Sequence, residues 1–336
     1  MIVITRLKNS RILFFSPVFF GYEKAIETKL SLISKECVFF DERANPSTLD
    51  KILIRLSLNF LIKKRITKYY QEIIDLYGEN YFDYVIFFNP ETISDKLLLK
   101  LKKKQNKAKF ILYIWDSLKN KPRTKELISY FDSSLTFNRE DSTTYNMRFR
   151  PLFFIDEYNA DLKPKQSKND IDLCFIGTIH SDRYFILREI EKQAQKNKLK
   201  VFYYLYFPSI VLFYKYKLEN LGKLEVKKKN FKFQALKSDE IRAIMDKSNV
   251  IVDIQHPNQT GLTMRTIEML GLKKKIITTN QDIINYDFYN ANNVSIIDRK
   301  DIKIDLDFMT TAYDDSNNKI RNKYSIDQFL EYLIFS

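Results

Sequence analysis

Short apolar runs recur along this chain, each leading into a polar or glycine-bearing loop and then into residues with helical spacing. Arg11–Ser16 (RILFFS) is the first such run; it leads into Gly21, and Tyr22–Ile33 follows with apolar positions three and four residues apart. Residues 38–40, 84–88 and 110–114 are further strand candidates, and 50–77 carries a long helical pattern. Strands separated by helices of this length predict a parallel, doubly wound sheet. A polar segment without periodicity, NADLKPKQSKN at 159–169, interrupts the pattern. It restarts with a strand at 171–176, a helix over 182–195, a strand at 200–204, and a helix from Ser238, an expected N-cap with Asp239 and Glu240 in its first turn. Strands at 250–254 and 275–279 then flank a short helix opening near Thr263. The expected architecture is α/β: two Rossmann-like domains, 1–158 and 170–323, facing each other across a cleft and joined by a linker at 159–169. A C-terminal helix within 324–336 is expected to return to the first domain.

At 336 residues the chain suits two domains of about 150 residues, each able to bury its own core. Its 45% hydrophobic and 29% charged content is that of a globular protein. Cys37 and Cys174 stand in separate apolar runs, as reduced core residues would. No apolar stretch reaches the roughly 20 residues of a membrane-spanning helix, and the N-terminus has no cleavable leader pattern, so a cytoplasmic location is expected. The most membrane-like segment, VFYYLYFPSIVLFY at 201–214, is divided by Pro208 and reads first as a strand followed by a buried helix, with bilayer contact the lesser reading. The net charge of +14 attracts polyanions. Lysine runs at 102–104, 227–229 and 273–275 read as solvated faces or turns. Without zinc-finger spacing, an RNP-like motif or Gly-Arg repeats, no nucleic-acid partner is expected; weak peripheral contact with an anionic inner-membrane surface uses the charge more economically.

Residues that are scarce in this composition gather in a few loops. Both histidines, His180 and His256, follow strand candidates, and Gly21, Gly177 and Gly261 lie in three loops of ligand-binding type. In NQTGLTMRTIEMLG, Met264, Ile267 and Leu270 are expected to face the core, with Arg265 and Glu268 one turn apart on the opposite face. That pair fits a surface ion pair. It also fits a nucleotide site, in which the amides of Gly261, Leu262 and Thr263 hold phosphate beside Gln259, Thr260 and Arg265 while Glu268 accepts from ribose hydroxyls. The loop FIGTIHSDR offers Gly177, Thr178, His180 and Arg183: a glycine to admit a ligand and an arginine to clamp a diphosphate, or a tight turn with Ser181 as N-cap. His256 can hydrogen-bond a phosphate or a sugar, or be incidental. In the first half, Gly21, Tyr22 and Trp115 line loops at strand ends. Asp116 is the first candidate general base, or a helix cap, and Glu23 the second. Asp170-Ile-Asp172 and Asp305-Leu-Asp307 are misplaced for a metal site at a strand's carboxyl end, so no essential metal and no further cofactor are expected.

On these residues, QTGLTMRTIEMLG above all, the chain resembles bacterial GT-B glycosyltransferases of surface-polysaccharide synthesis, CgeB-like and group-1-like. The likeness is concentrated in residues 171–300. It implies a nucleotide-sugar donor held by the second domain, with Glu268 on the ribose and Gly177 and Arg183 facing the phosphates. It also implies a glycan or lipid-linked acceptor facing the first domain. The chain departs from group-1 enzymes in having Thr260 where they often carry a second glutamate. A nucleotide-sugar epimerase of the same architecture and an inactive membrane-associated scaffold subunit are the alternatives.

Overall fold

The computed structural model describes residues 7–44, 59–162, 170–222 and 225–335. It divides into two compact units, one of residues 1–155 with 326–336 and one of 156–325. Each is built on a sheet whose strand pairs all run parallel, with helices between successive strands.

The first unit contains β1 (Arg11–Ser16), β2 (Glu36–Asp41), β3 (Tyr84–Phe88), β4 (Lys109–Ile114), β5 (Ser133–Thr136) and β6 (Arg148–Phe149), in the order β2-β1-β3-β4-β5-β6. Its central strands are apolar on both faces, as a covered parallel sheet requires. Leu13, Phe15, Val85, Phe87, Phe110 and Leu112 pack under the helices Lys63–Leu76 and Asp95–Lys104. On the other face lies the helix Ile326–Phe335. Its Phe329 stacks on Phe153 with ring centroids 4.0 Å apart and meets Tyr113 edge-on at 4.8 Å. The helix is fixed at both ends: the Ile326 amide donates to Phe154 O, Lys29 pairs with Asp327 at 2.9 Å, and Lys109 Nζ donates to Ile334 O.

The second unit contains β7 (Ile171–Thr178), β8 (Val201–Tyr206), β9 (Ser248–Asp253), β10 (Lys275–Thr278) and β11 (Val294–Ile296), in the order β11-β10-β9-β7-β8. The chain steps from β7 outward to β8 and then returns to the other side of β7 as β9. Strand order therefore reverses between β7 and β9, and the loops leaving these two neighbours diverge at their carboxyl ends. Open α/β sheets bind ligands at such a place.

Several local expectations are corrected. Residues 50–58 of the long helical pattern lie outside the described residues, and the remainder is the turn Asn59–Ile62 followed by the helix Lys63–Leu76. Ser238 is the first residue of its helix, not the cap; Glu240 reaches back to accept from the Lys237 amide at 2.7 Å. The helix Met264–Leu272 is buried nearly all round, Glu268 included, because it meets the sheet on one side and the turn Asp156–Tyr158 and the helix Asn318–Asn322 on others. Nor is the lysine run at 273–275 a solvated face. Lys275 is buried in β10 with Nζ on the carbonyls of Phe308 and Thr311, Lys274 Nζ donates to Asp246 O and Ser248 O, and Lys273 pairs with Asp161 and Asp315. The helix Ile210–Glu219, expected to be buried, buries only Phe213 and Tyr216.

Because Phe329 fills the centre of the second sheet face, Phe329→Ala is expected to lower the unfolding free energy of the first unit by about 3–5 kcal/mol. Urea titration followed by fluorescence checks this, and a change within ~0.5 kcal/mol, as at an ordinary surface site, would show that the helix contributes no core.

Candidate functional site

In the second unit the reversal of strand order gathers the loops that carry the scarce residues. Ile179 to Asp182 follow β7, and residues 254–263 follow β9. The two histidines, 76 positions apart by their numbers, come together with ring centroids 5.3 Å apart. His180 Nδ1 is 2.9 Å from Ser181 Oγ, and His256 Nδ1 accepts from the Asn258 amide at 3.2 Å. Burial, helped by the Arg183 cation, holds the His180 pKa down at about 4, so the ring is neutral near pH 7 and offers one donor and one acceptor.

Arg183 is directed inward. Its Nε and Nη2 donate to Ile254 O and its Nη1 to Thr178 O at 2.6 Å, tying the end of β7 to the chain just past β9. Burial pushes this guanidinium down to about 10. Gly177 lies beside it: a Cβ there would lie 3.0 Å from Phe175 Cζ and 3.7 Å from Arg183 Nη1. A Cβ at 177 would press on the ring tip of Phe175 and make ordinary contact with Arg183. Ser181 adopts a left-handed φ of 46° and the helix is entered through Asp182, so Ser181 is not its cap.

The loop after β9 is stitched to its surroundings from both sides. Gln255 and Thr279 exchange side-chain bonds, Thr279 Oγ1 donating to Gln255 Oε1 and Gln255 Nε2 to Thr279 O. Asn280 Nδ2 donates to the carbonyls of Thr260 and Gly261, and Gln259 Nε2 also donates to Gly261 O. Leu262 is buried beneath. Asp253, buried at the end of β9, accepts from Thr263 Oγ1 at 2.6 Å and Thr266 Oγ1 at 2.7 Å, while Thr263 Oγ1 accepts from the Thr266 amide as N-cap. The positive end of the helix Met264–Leu272 is thereby fixed beside the histidine pair's loop. Further along it, Arg265 Nε lies 3.6 Å from Glu268 Oε2, with Glu268 at only 7% exposure. Desolvation raises the Tyr158 hydroxyl pKa, and the Glu268 charge nearby raises it further.

Sequence reading missed Asp253 and also Arg299, which follows β11. Arg299 Nη1 donates to both oxygens of Asp182 at 2.7 and 2.8 Å, and its Nη2 donates to Gln255 O at 2.6 Å. An arginine just after a strand candidate was the available signal, but its partner lies 117 residues away.

In the first unit, β1, β3 and β4 are neighbours, and their carboxyl ends carry the other predicted residues. Gly21 is left-handed (φ 82°) and opens the helix Tyr22–Ile33. Phe19 lies 5.5 Å from Trp115, which meets Phe88 edge-on at 5.1 Å. Tyr22 is buried against Phe153. Glu23, the second candidate base, is buried and accepts from the Phe19 amide at 2.9 Å, so its carboxylate anchors the loop. Asp116 keeps a partly open carboxylate, Oδ1 accepting from the Ser117 amide and Oδ2 3.7 Å from Lys121 Nζ; Ser117, not Asp116, caps the following turn.

Beside Asp116 is a charged group that sequence reading did not foresee. Lys121 and Arg43 both pair with Glu91, whose carboxyl lies below its usual range because their positive charges outweigh its burial. Glu42 is fully buried, and its Oε1 accepts from the amides of Glu91, Thr92 and Ile93 at 2.8, 2.6 and 3.2 Å. Among the described residues its Oε2 has no hydrogen-bond partner. Desolvation pushes this carboxyl up to about 8. Among the described residues no three metal-ligating side chains come together, and no helix is long and apolar enough to cross a membrane.

No family model and no curated protein matches the chain. Solved structures match nearly its whole length. Anabaena HepE in complex with UDP-glucose is 10% identical, covers 97% of this chain and 98% of its own, and superposes with a TM-score of 0.61. An alpha-glucosyltransferase in complex with UDP and a 13-mer DNA is 14% identical over 96% and 95%, at 0.57. Sucrose-phosphate synthase from Thermosynechococcus elongatus is 9% identical over 96% and 97%, at 0.55. At such identities it is the fold that is shared: two Rossmann-like units of the GT-B architecture.

The raised Glu42 pKa means that its stabilising contribution is complete below about pH 4.5 and is lost as pH rises through about 8. Unfolding of the first unit should therefore be easier at pH 9 than at pH 6 by about 3 kcal/mol, and Glu42→Gln should flatten this slope whatever its baseline stability. Urea titrations at both pH values check it; an equal slope in wild type and variant excludes Glu42 as the titrating group.

Proposed function

We propose that this protein is a glycosyltransferase of the GT-B type, moving a sugar from a nucleotide-sugar donor to a glycan or lipid-linked acceptor in surface-polysaccharide assembly. The observation that carries the reading is the switch point of the second unit. There the fixed positive end of the helix Met264–Leu272 and the histidine pair stand in adjoining loops. Full-length likeness to structures solved with UDP and UDP-glucose supports it.

The assigned roles follow from the chemistry of each group. Amides at residues 261–263 and the helix end hold the diphosphate, with no reorganisation needed as charge develops on the leaving group. Neutral His180 donates to a phosphate or sugar oxygen, and His256 does so from the more open side. Glu268 accepts from the ribose hydroxyls, with Arg265 Nε 3.6 Å from its carboxylate. Arg183 and Arg299 position these loops from behind, their N–H groups given largely to backbone carbonyls and Asp182. In an inverting reaction Asp116 is the base that takes the acceptor hydroxyl proton, and Trp115 offers a face for a sugar ring. No metal has an assigned role in this scheme.

The net charge of +14 and the DNA bound in one similar structure favour one second reading, a nucleic-acid acceptor. Replacing the glycan acceptor by duplex DNA in the transfer assay separates the two.

Near-saturating UDP or UDP-sugar, at about 100 times Kd, should raise the melting temperature by roughly 5–10 °C. Glu268→Ala should remove most of that shift while leaving the unliganded fold intact. Were no nucleoside diphosphate or nucleotide sugar to shift the transition, the glycosyltransferase reading would fall. An unchanged shift in a folded Glu268→Ala variant would sink only the ribose assignment. With donor bound, Asp116→Asn is expected to cut transfer by about 100-fold or more without weakening donor affinity, if inversion operates.

A further inference from the structure

The helix Ile210–Glu219 departs from the pattern of a surface helix. Phe213 and Tyr216 bury its inner side against Phe207 and Phe231, with ring centroids 5.5–5.6 Å apart. Its outer side is apolar as well. Val211, Tyr214, Leu218 and, just past the helix, Leu221 recur at three- and four-residue intervals and are 71%, 56%, 69% and 63% exposed. A helix apolar on both sides is normally buried on both sides. An exposed run at this spacing forms one contiguous apolar stripe, unlike singly scattered surface leucines.

The surroundings of the stripe choose the partner. Lys215 and Lys217 border it, and the turn carrying Lys227, Lys228 and Lys229 is held against the same helix by Phe231 and Phe233, each within 5.8 Å of Phe213. Among the described residues of 210–230, these five lysines stand against two glutamates, Glu219 and Glu225. A second copy of the chain docking stripe to stripe would bring like charges together. At ten residues the helix is about 15 Å long, half the thickness of a bilayer core, so it can lie in an interface but cannot cross one.

We propose that this helix is a membrane-docking element. It lies flat on an anionic bilayer with Val211, Tyr214, Leu218 and Leu221 entering the boundary between headgroups and acyl chains, while the lysines engage headgroup phosphates. Apolar area and electrostatic attraction then act together, the combination that holds an interfacial helix on a charged surface, and Tyr214 keeps its hydroxyl at the headgroup level. The inference does not depend on the glycosyltransferase reading and would place either an enzyme or a non-catalytic subunit at the membrane.

Vesicle flotation of the full chain tests it, using phosphatidylcholine alone and phosphatidylcholine with phosphatidylglycerol. The wild type is expected to float with the anionic vesicles only. Val211→Ser with Leu218→Ser should weaken this by about tenfold or more, and Lys215→Gln with Lys217→Gln should weaken it in a salt-dependent way. Both pairs of positions are exposed, so the unfolding midpoint in urea should stay at the wild-type value and confirm the fold. Equal flotation of wild type and the Val211→Ser/Leu218→Ser variant would overturn the proposal by showing that charge elsewhere suffices. Absence of flotation, or a wild-type dimer in sedimentation that this variant abolishes, would overturn it in favour of a protein partner.

Discussion

Arg183 holds two carbonyl groups that would otherwise part company: Thr178 O at the end of β7 and Ile254 O just past β9. Strand order reverses between these strands, so the chains leaving them diverge and leave open the crevice in which a ligand can sit. An open crevice needs its rims fixed, and the guanidinium fixes both. Around that tie the other contacts fall into place. Arg299 braces Asp182 and Gln255 from β11, Asn280 holds Gly261 from β10, and Asp253 locks the N-cap of the helix Met264–Leu272. Loops that look like irregular surface are thus over-determined by side chains from four strand ends, the kind of preorganisation that electrostatic stabilisation of a leaving group needs.

Much of the fold could be read from the chain because parallel strands buried on both faces write themselves as apolar runs. RILFFS, YVIFF and KFILYI are strands in the structure. Short edge elements such as β6 and β11 carry too few residues for any period. For the candidate site, local pattern located the right loops, since glycine and histidine stand out in so lysine-rich a sequence, but it did not reveal orientation. Arg183 and Gly177 were legible as residues of interest, whereas their mutual packing was not, because it depends on where Phe175 lies. Arg299 and Glu42 were invisible because their partners come from distant segments, and Asp253 because its role depends on the turn that brings Thr263 and Thr266 back to it. Lys275 shows the same limit: nothing in KKKII distinguishes an ammonium in water from one seated on carbonyl oxygens.

The two units treat buried charge differently. In the second, cations near the switch point are satisfied by carbonyls and carboxylates, leaving a fixed positive rim. In the first, Arg43, Lys121, Glu91 and Asp116 neutralise one another next to Glu42, whose second oxygen has no partner among the described residues. Removing one member of such a cluster leaves another uncompensated, so these positions should be coupled and their effects non-additive.

The helix Ile326–Phe335 belongs to the first unit, yet the chain reaches it only after passing through all of the second. During synthesis, the sheet of the first unit must wait with Phe88, Tyr113 and Phe153 uncovered while some 170 further residues emerge and fold. The order of assembly is therefore inverted for part of this molecule: the unit begun first is sealed last. A nascent chain that stalls anywhere inside the second unit presents an open aromatic surface, the kind of surface that chaperones hold and proteases sample. Synthesis of residues 326–335 thus becomes a condition for covering the first unit's aromatic face.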